Sequence, residues 1–306
     1  MNRSEYLHLL GERVALQRMI ASTPAEEALD RLSMETRLAV VNEQIDRAGV
    51  AEREPARARL TFRGRPVIGS YGIFADFGMK AVNSFTEAVT AIAASLTAPL
   101  AAMGPIPNRE QNQLLITDTA IGSFGFELEE CRSGRLPLAE QSAVELALER
   151  TRSLLQGTIE ANDELLADSA AELDRRALDR VRDFIKTLAD NDAVCALSFG
   201  DQIFRFNDVS QVRRSFERIS QENLTEEDVT LDVQFLGALP HRRTFEFRLP
   251  GNDEVLFGKI SPVVEHLDAI NDHRHQTVRA RLMVTRVGSG RPRYLLLTLP
   301  EWNQPA

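Results

Sequence analysis

The chain has 306 residues, with 36 basic and 45 acidic side chains and a formal net charge of −9. That length allows about two domains and at least one core that needs no staple, and the acidic balance disfavours whole-surface binding to nucleic acid. Cys131 and Cys195 are too few for a disulfide framework or a cysteine-based zinc site, and no run approaches the ~18 apolar residues of a membrane span.

The first residues, MNRSEYLHLLGERVALQ, carry charges through their apolar periodicity, unlike a secretory signal. The expected compartment is therefore the cytoplasm, with no membrane partner. Lysine occurs only at Lys80, Lys186 and Lys259 amid many arginines, a usage associated with GC-rich bacterial genomes. From Val229 onward ten basic residues face eight acidic ones, a net of +2, which leaves −11 for residues 1–228. A local basic face on the C-terminal part is compatible with that asymmetry.

In chain order, residues 4–48 read as a helical hairpin. Leu7, Leu9, Leu10, Val14, Leu16 and Ile20 lie on one arm, and Met34, Leu38, Val41 and Ile45 on the other. Thr23-Pro24-Ala25-Glu26 has the form of a capping box opening the second arm. Two such arms form no stable domain alone, so they pack on the rest of the chain or on a second copy as an antiparallel coiled coil.

The charged linker AEREPARAR leads to a strand near 58–63, a glycine-rich loop from Arg63 to Gly78, and a helix over 76–96 with a single buried stripe. Leu114 to Glu130 follows as a strand pair, with Ala120, Ile121, Gly122 and Ser123 at the turn. Asp118 shares the phase of Leu114 and Ile116, so strict alternation points it to the apolar side. Late in its strand and close to the turn, it is expected as a solvated strand end, with Arg63 or Arg65 as the partner a buried carboxylate would need. Residues 137–188 read as two helical segments, with Asn162 in the stripe of the first.

A hairpin turning at Gly200-Asp201 and a bridging helix from Asp208 to Ile219 come next, the latter with Arg213, Arg214 and Arg218 outward. Then five alternating runs, VTLDVQFLGAL, RRTFEFRL, EVLFGKI, VRARLMVTRV and RYLLLTL, surround a short helix expected at 262–270. The fold class is α+β: helical hairpins flanking a small α+β unit, then a small C-terminal β-barrel of the SH3 or OB kind. The expected segments are 1–50, 51–136, 137–192, 193–228 and 229–306.

No complete catalytic constellation is present. The histidines are His8, His241, His266, His273 and His275, and neither Gly69-Ser70 nor Gly122-Ser123 completes a nucleophile elbow. Cys195 lies in an apolar strand, where a thiol is ordinarily inert. His266, Asp268, Asp272, His273 and His275 are metal-competent ligands whose spacing fits no standard motif, so no metal and no cofactor are expected.

The glycine-rich loop runs from a strand into a helix N-terminus, an arrangement that receives anions, with Arg63, Arg65 and Ser70 nearby and Asp118 as a further site residue. It matches neither GxGxxG nor GxxxxGK[ST]. A nucleic-acid surface would use Arg242, Arg243, Arg279, Arg281, Arg291 and Arg293, with Arg279 and Arg281 on one strand phase and Tyr294 and Trp302 available for stacking.

The function expected from the sequence is a non-enzymatic interaction protein that binds protein partners and self-associates through its helical arms. A nucleic-acid-binding regulator is the first alternative, and an enzyme or sensor for a phosphorylated ligand at the Arg63 to Gly78 loop is the second.

Overall fold

The computed structural model describes residues 3–24, 27–48, 53–101, 103–120, 124–132, 136–137, 140–251 and 254–302. They fall into two compact units, one within 1–55 and 132–142, the other within 56–131 and 143–306.

In the first unit, helices α1 (Arg3–Ser22) and α2 (Ala28–Ala48) form a hairpin. Leu16, Val41 and Ile45 are buried between them, and Leu9, Leu10, Met34 and Leu38 pack around that seam. Arg37 clamps Glu12 with two hydrogen bonds of 2.7 and 3.0 Å. The Thr23 hydroxyl corrects the capping-box reading: it donates backwards to the Met19 carbonyl at 2.8 Å and closes α1. Residues 25 and 26 of that box lie outside the described residues. Residues 53–55 join the segment after 131 through the Arg53 N–H, which donates to the Leu136 carbonyl at 2.8 Å.

The second unit is organised on β1 (Arg57–Gly64). Its alternation puts Ala58, Leu60 and Phe62 on a covered face and Arg57, Arg59 and Arg63 on the opposite one. After it come a two-stranded ribbon, β2 (Val67–Ile68) and β3 (Gly72–Ile73), and then helix α3 (Ala75–Ser95).

Phe77 meets Phe62 edge-on, with centroids 5.4 Å apart, so α3 lies on the covered face. A single buried stripe was expected of this helix. Instead every residue from Ala88 to Ala94 is buried, because further helices cover its other side and alanine lets them approach.

β4 (Leu114–Thr119) and β5 (Phe124–Glu130) form the next hairpin, whose turn residues 121–123 lie outside the described residues. Ile116 opposes Leu128, but Asp118 opposes Glu127, so Thr117 is the extra residue of a β-bulge. The bulge reverses the phase, and Asp118 stands exposed, as expected of a strand end.

Helices α4 (Ala143–Ile159), α5 (Asp163–Ala170) and α6 (Arg175–Asp190) replace the two expected segments. The break falls at Asn162, whose side chain accepts from the Glu164 N–H at 2.8 Å and caps α5. Asp174 caps α6 in the same way, at 2.8 Å from the Arg176 nitrogen.

The chain then returns to the sheet as β6 (Ala193–Phe199) and β7 (Gln202–Arg205), turning at Gly200 with φ +57°. The sheet order is β4-β5-β1-β6-β7, every pair antiparallel. Burial pushes the pKa of the Cys195 thiol up, inside this core.

Helix α7 (Val209–Ile219) starts at Asp208, which accepts from the Gln211 N–H at 2.8 Å, while the Gln211 side chain accepts from the Asn207 N–H at 2.7 Å. Arg218 does not face outward as expected. It donates to the carbonyls of Gly157, Thr158 and Glu160 and pairs with Asp163 at 2.6 Å, tying α7 to the end of α4.

The barrel follows: β8 (Leu224–Leu239), β9 (Thr244–Arg248), β10 (Leu256–Ile260), α8 (Asp268–Asp272), β11 (Thr277–Val287) and β12 (Arg293–Leu296). β8 begins five residues before the expected run, and α8 is shorter and later than the helix expected at 262–270. The barrel closes in the order β10-β12-β11-β8-β9, with β10 and β12 parallel and the other pairs antiparallel.

Val233, Phe235, Phe245, Phe247, Ile260, Ala280, Leu282 and Leu296 fill its interior. Gly258 lies opposite Phe245, and a Cβ there would come within 2.4 Å of the ring, so glycine is what admits the aromatic.

A candidate binding cleft on the barrel

Inward Phe245 and Phe247 on β9, and inward Gly258 and Ile260 on β10, leave the alternate positions outward. Glu246, Phe257 and Lys259 are those positions, and they line an open cleft of about 870 Å³. Phe257 is 66% exposed and stands at the wall of this concavity. Leu256, Ala238, Pro292 and Tyr294 add apolar wall, and Arg274, Arg291 and Arg293 add cations.

The surrounding elements hold these groups in place. Asn271 of α8 fixes the end of β8 through two hydrogen bonds to the Ala238 backbone, at 2.8 and 3.0 Å. Arg274 donates to the Asn271 carbonyl at 3.0 Å. On the other side, Arg293 meets Asp168 of α5 at 2.5 Å, and Lys259 pairs with Glu172 just beyond that helix. Tyr294 leans on Phe247, with centroids 5.1 Å apart, and burial raises its phenol pKa. The cleft thus combines an apolar floor with both signs of charge.

The residues expected to form sites are scattered. Arg65 faces Asp192 at 4.0 Å, Arg63 and Ser70 are exposed, and Asp118 lies two strands from β1 and accepts from its neighbour's Thr119 N–H at 2.7 Å. Arg65 is directed to Asp192 and not to Asp118.

Among the C-terminal arginines, Arg279 pairs with Asp232 at 3.4 Å and Arg281 with Asp228 at 2.5 Å, so their stripe is matched acid for base along β8. Arg243 is structural: its guanidinium donates to the Ser261 carbonyl and, at 2.6 Å, to that of Val264, and burial lowers its pKa. Arg242 is exposed in the turn before β9. Only Arg291 and Arg293 of the six line the cleft.

Trp302 is engaged, stacked on His273 at 4.6 Å and packed edge-on against Phe235. His273 also contacts the Ala269 carbonyl at 2.9 Å, and His266 and His275 are exposed. Among the described residues no group of three or more histidine, cysteine or acidic side chains is arranged to hold a metal ion.

Sequence reasoning missed Phe257, Lys259 and Asp168 as cleft residues, and Arg274 belonged there only to the run of C-terminal cations. A signal for the first two was present. Gly258 between them is the residue that fits a crowded interior, which assigns Phe257 and Lys259 to the outer phase. No protein family, curated protein or solved structure matches the chain.

Proposed function

We propose that this chain is a non-enzymatic interaction protein whose C-terminal barrel is of the OB type and whose ligand is an extended segment of a protein partner held in the β9–β10 cleft. The cleft carries the reading: about 870 Å³, walled by Phe257, Leu256 and Tyr294 and rimmed by both cations and acids. Mixed charge around an apolar floor suits an amphiphilic polypeptide better than a polyanion, which needs several converging cations.

The OB assignment rests on connectivity. In barrel numbering the strand order is 1-2-3-5-4, returning to 1, the third and fifth strands are parallel, and α8 lies between the third and fourth. Barrels of that type bind ligands on strands two and three, here β9 and β10.

Peptides selected from a displayed random library on the full-length protein provide the test. Fluorescence polarisation is expected to show about tenfold weaker binding for Phe257→Ser and no change for Arg279→Glu. A labelled single-stranded oligonucleotide serves as the second arm. Oligonucleotide binding that persists at about 150 mM salt and falls with Arg291→Glu, without any selected peptide, would replace this reading with the nucleic-acid one.

Self-association through α1 and α2 is the second part of the proposal. It is supported by Leu29, Leu32 and Val40, which are exposed on α2 away from the seam containing Val41 and Ile45.

A further inference from the structure

The β2–β3 ribbon lies outside the five-stranded sheet and turns through Gly69, whose φ is +54°. Val67 and Ile73 of the ribbon pack on the core. Around them, between residues 68 and 79, four large apolar side chains face water. Ile68, Phe74 and Met79 are each more than half exposed, and Tyr71, on the turn, is 89% exposed. Their exposure contributes nothing to folding, and apolar surface concentrated in one short span commonly marks an interaction site.

The surroundings are basic. Arg63, Arg65 and Lys80, all exposed, flank the span along the chain. Asp192 is shared between Arg65 at 4.0 Å and Arg213 at 2.6 Å, so one acid stands between two guanidinium groups. Asp76 is the acid within the span itself. Counted with Arg213, these four cations outnumber the two acids, Asp76 and Asp192, in a chain whose net charge is −9.

We propose that this tip docks on an anionic lipid surface, with Tyr71 and Phe74 inserted at headgroup level and Arg63, Arg65 and Lys80 against the lipid charges. A protruding turn with single apolar side chains needs no matching groove in such a surface. A tyrosine ring with a wet hydroxyl suits the boundary between headgroups and acyl chains. Apolar insertion and a basic rim are the two signals that together give stable peripheral binding. The association proposed is peripheral and reversible; no helix among the described residues is long and apolar enough to cross a membrane. The expectation of no membrane partner rested on spanning and signal segments, neither of which this mode requires.

The test is flotation of the full-length protein with phosphatidylcholine vesicles, with and without about one-third phosphatidylserine. Binding is expected only to the anionic vesicles and is lost at about 0.5 M salt, where charges are screened within a few ångströms. Arg63→Ala and Arg65→Ala should each weaken binding about fivefold, and Tyr71→Ser with Phe74→Ser at least about tenfold. Phe257→Ser, on the barrel, should leave it unchanged.

Circular dichroism of the exposed-site variants verifies that they remain folded. Three outcomes overturn the proposal: no flotation with either vesicle, equal flotation with both, or undiminished flotation of folded Tyr71→Ser/Phe74→Ser protein. Loss of a dimer in that variant, measured by light scattering without any vesicle binding, would assign the patch to a second copy instead.

Discussion

The carboxylate of Glu226 lies 4.0 Å from the guanidinium of Arg182, and their side chains are 3% and 9% exposed. Arg182 directs its donors elsewhere, to the Ile219 carbonyl at 2.5 Å, the Leu224 carbonyl at 3.2 Å and Asp179 at 2.6 Å. One Glu226 oxygen is left without a hydrogen-bond partner. Asp179, Arg175 and Asp174 add weaker fields of both signs, and burial dominates, so the carboxyl pKa is pushed up to about 7.

This pair makes stability depend on pH with a defined sign. The folded chain holds the Glu226 proton more tightly than the unfolded chain, so between roughly pH 4.5 and 7 folding takes up protons and stability falls as pH rises. The displacement corresponds to about 3 kcal/mol. Glu226→Gln is expected to be nearly neutral at pH 5 and more stable than the parent by up to that amount at pH 8. Urea unfolding across the range checks it; parallel profiles for the two proteins would contradict it.

Arg218 supplies donors to three carbonyls at the end of α4. Helix C-termini carry unsatisfied acceptors, so removing this cation leaves several oxygens without donors. Arg218→Ala should destabilise by about 2–4 kcal/mol, and Arg218→Lys by less. Denaturation midpoints at constant m-value measure the difference.

Two glycines should respond oppositely to alanine. At Gly125 a Cβ would come within 2.2 Å of the Leu60 carbonyl oxygen, so β5 must move away from β1. A loss of at least about 2 kcal/mol is expected. Gly11, exposed in α1, has nothing within 4 Å of an added Cβ, and Gly11→Ala should gain about 0.5–1 kcal/mol of local helix stability. Hydrogen exchange of α1 amides would report the gain, and thermal melting the loss.

If α1 and α2 self-associate, Leu29→Glu with Leu32→Glu should convert the full-length protein to monomer without loss of helicity. Light scattering after size exclusion reads the mass. A parent protein that is already monomeric at about micromolar concentration, where stable interfaces remain associated, would refute the self-association proposal.

Alternation and turn chemistry made much of the fold readable. The Gly200-Asp201 hairpin, the Asp208 cap and the five barrel runs follow from period-two patterning and residues with strong local preferences. What escaped was set by tertiary packing. The Thr117 bulge has no glycine or proline to announce it, yet it decides which way Asp118 points. Asn162 looked like a polar residue within a stripe because heptad spacing continues across a cap that stops the helix. The cleft joins Asp168 to Arg293 and Glu172 to Lys259, a juxtaposition that no local pattern encodes.

The central position of β1 has a kinetic consequence. Its neighbours, β5 and β6, reach only as far as residues 130 and 199, while β1 itself ends at 64. During synthesis at ~5–20 residues per second, the strand therefore waits on the order of ten seconds with one or both edges unpaired. Through that interval its apolar phase, Ala58, Leu60 and Phe62, depends on α3 for cover. α3, complete by residue 95, is the covering element the chain has made by then, with Phe77 lying edge-on to Phe62.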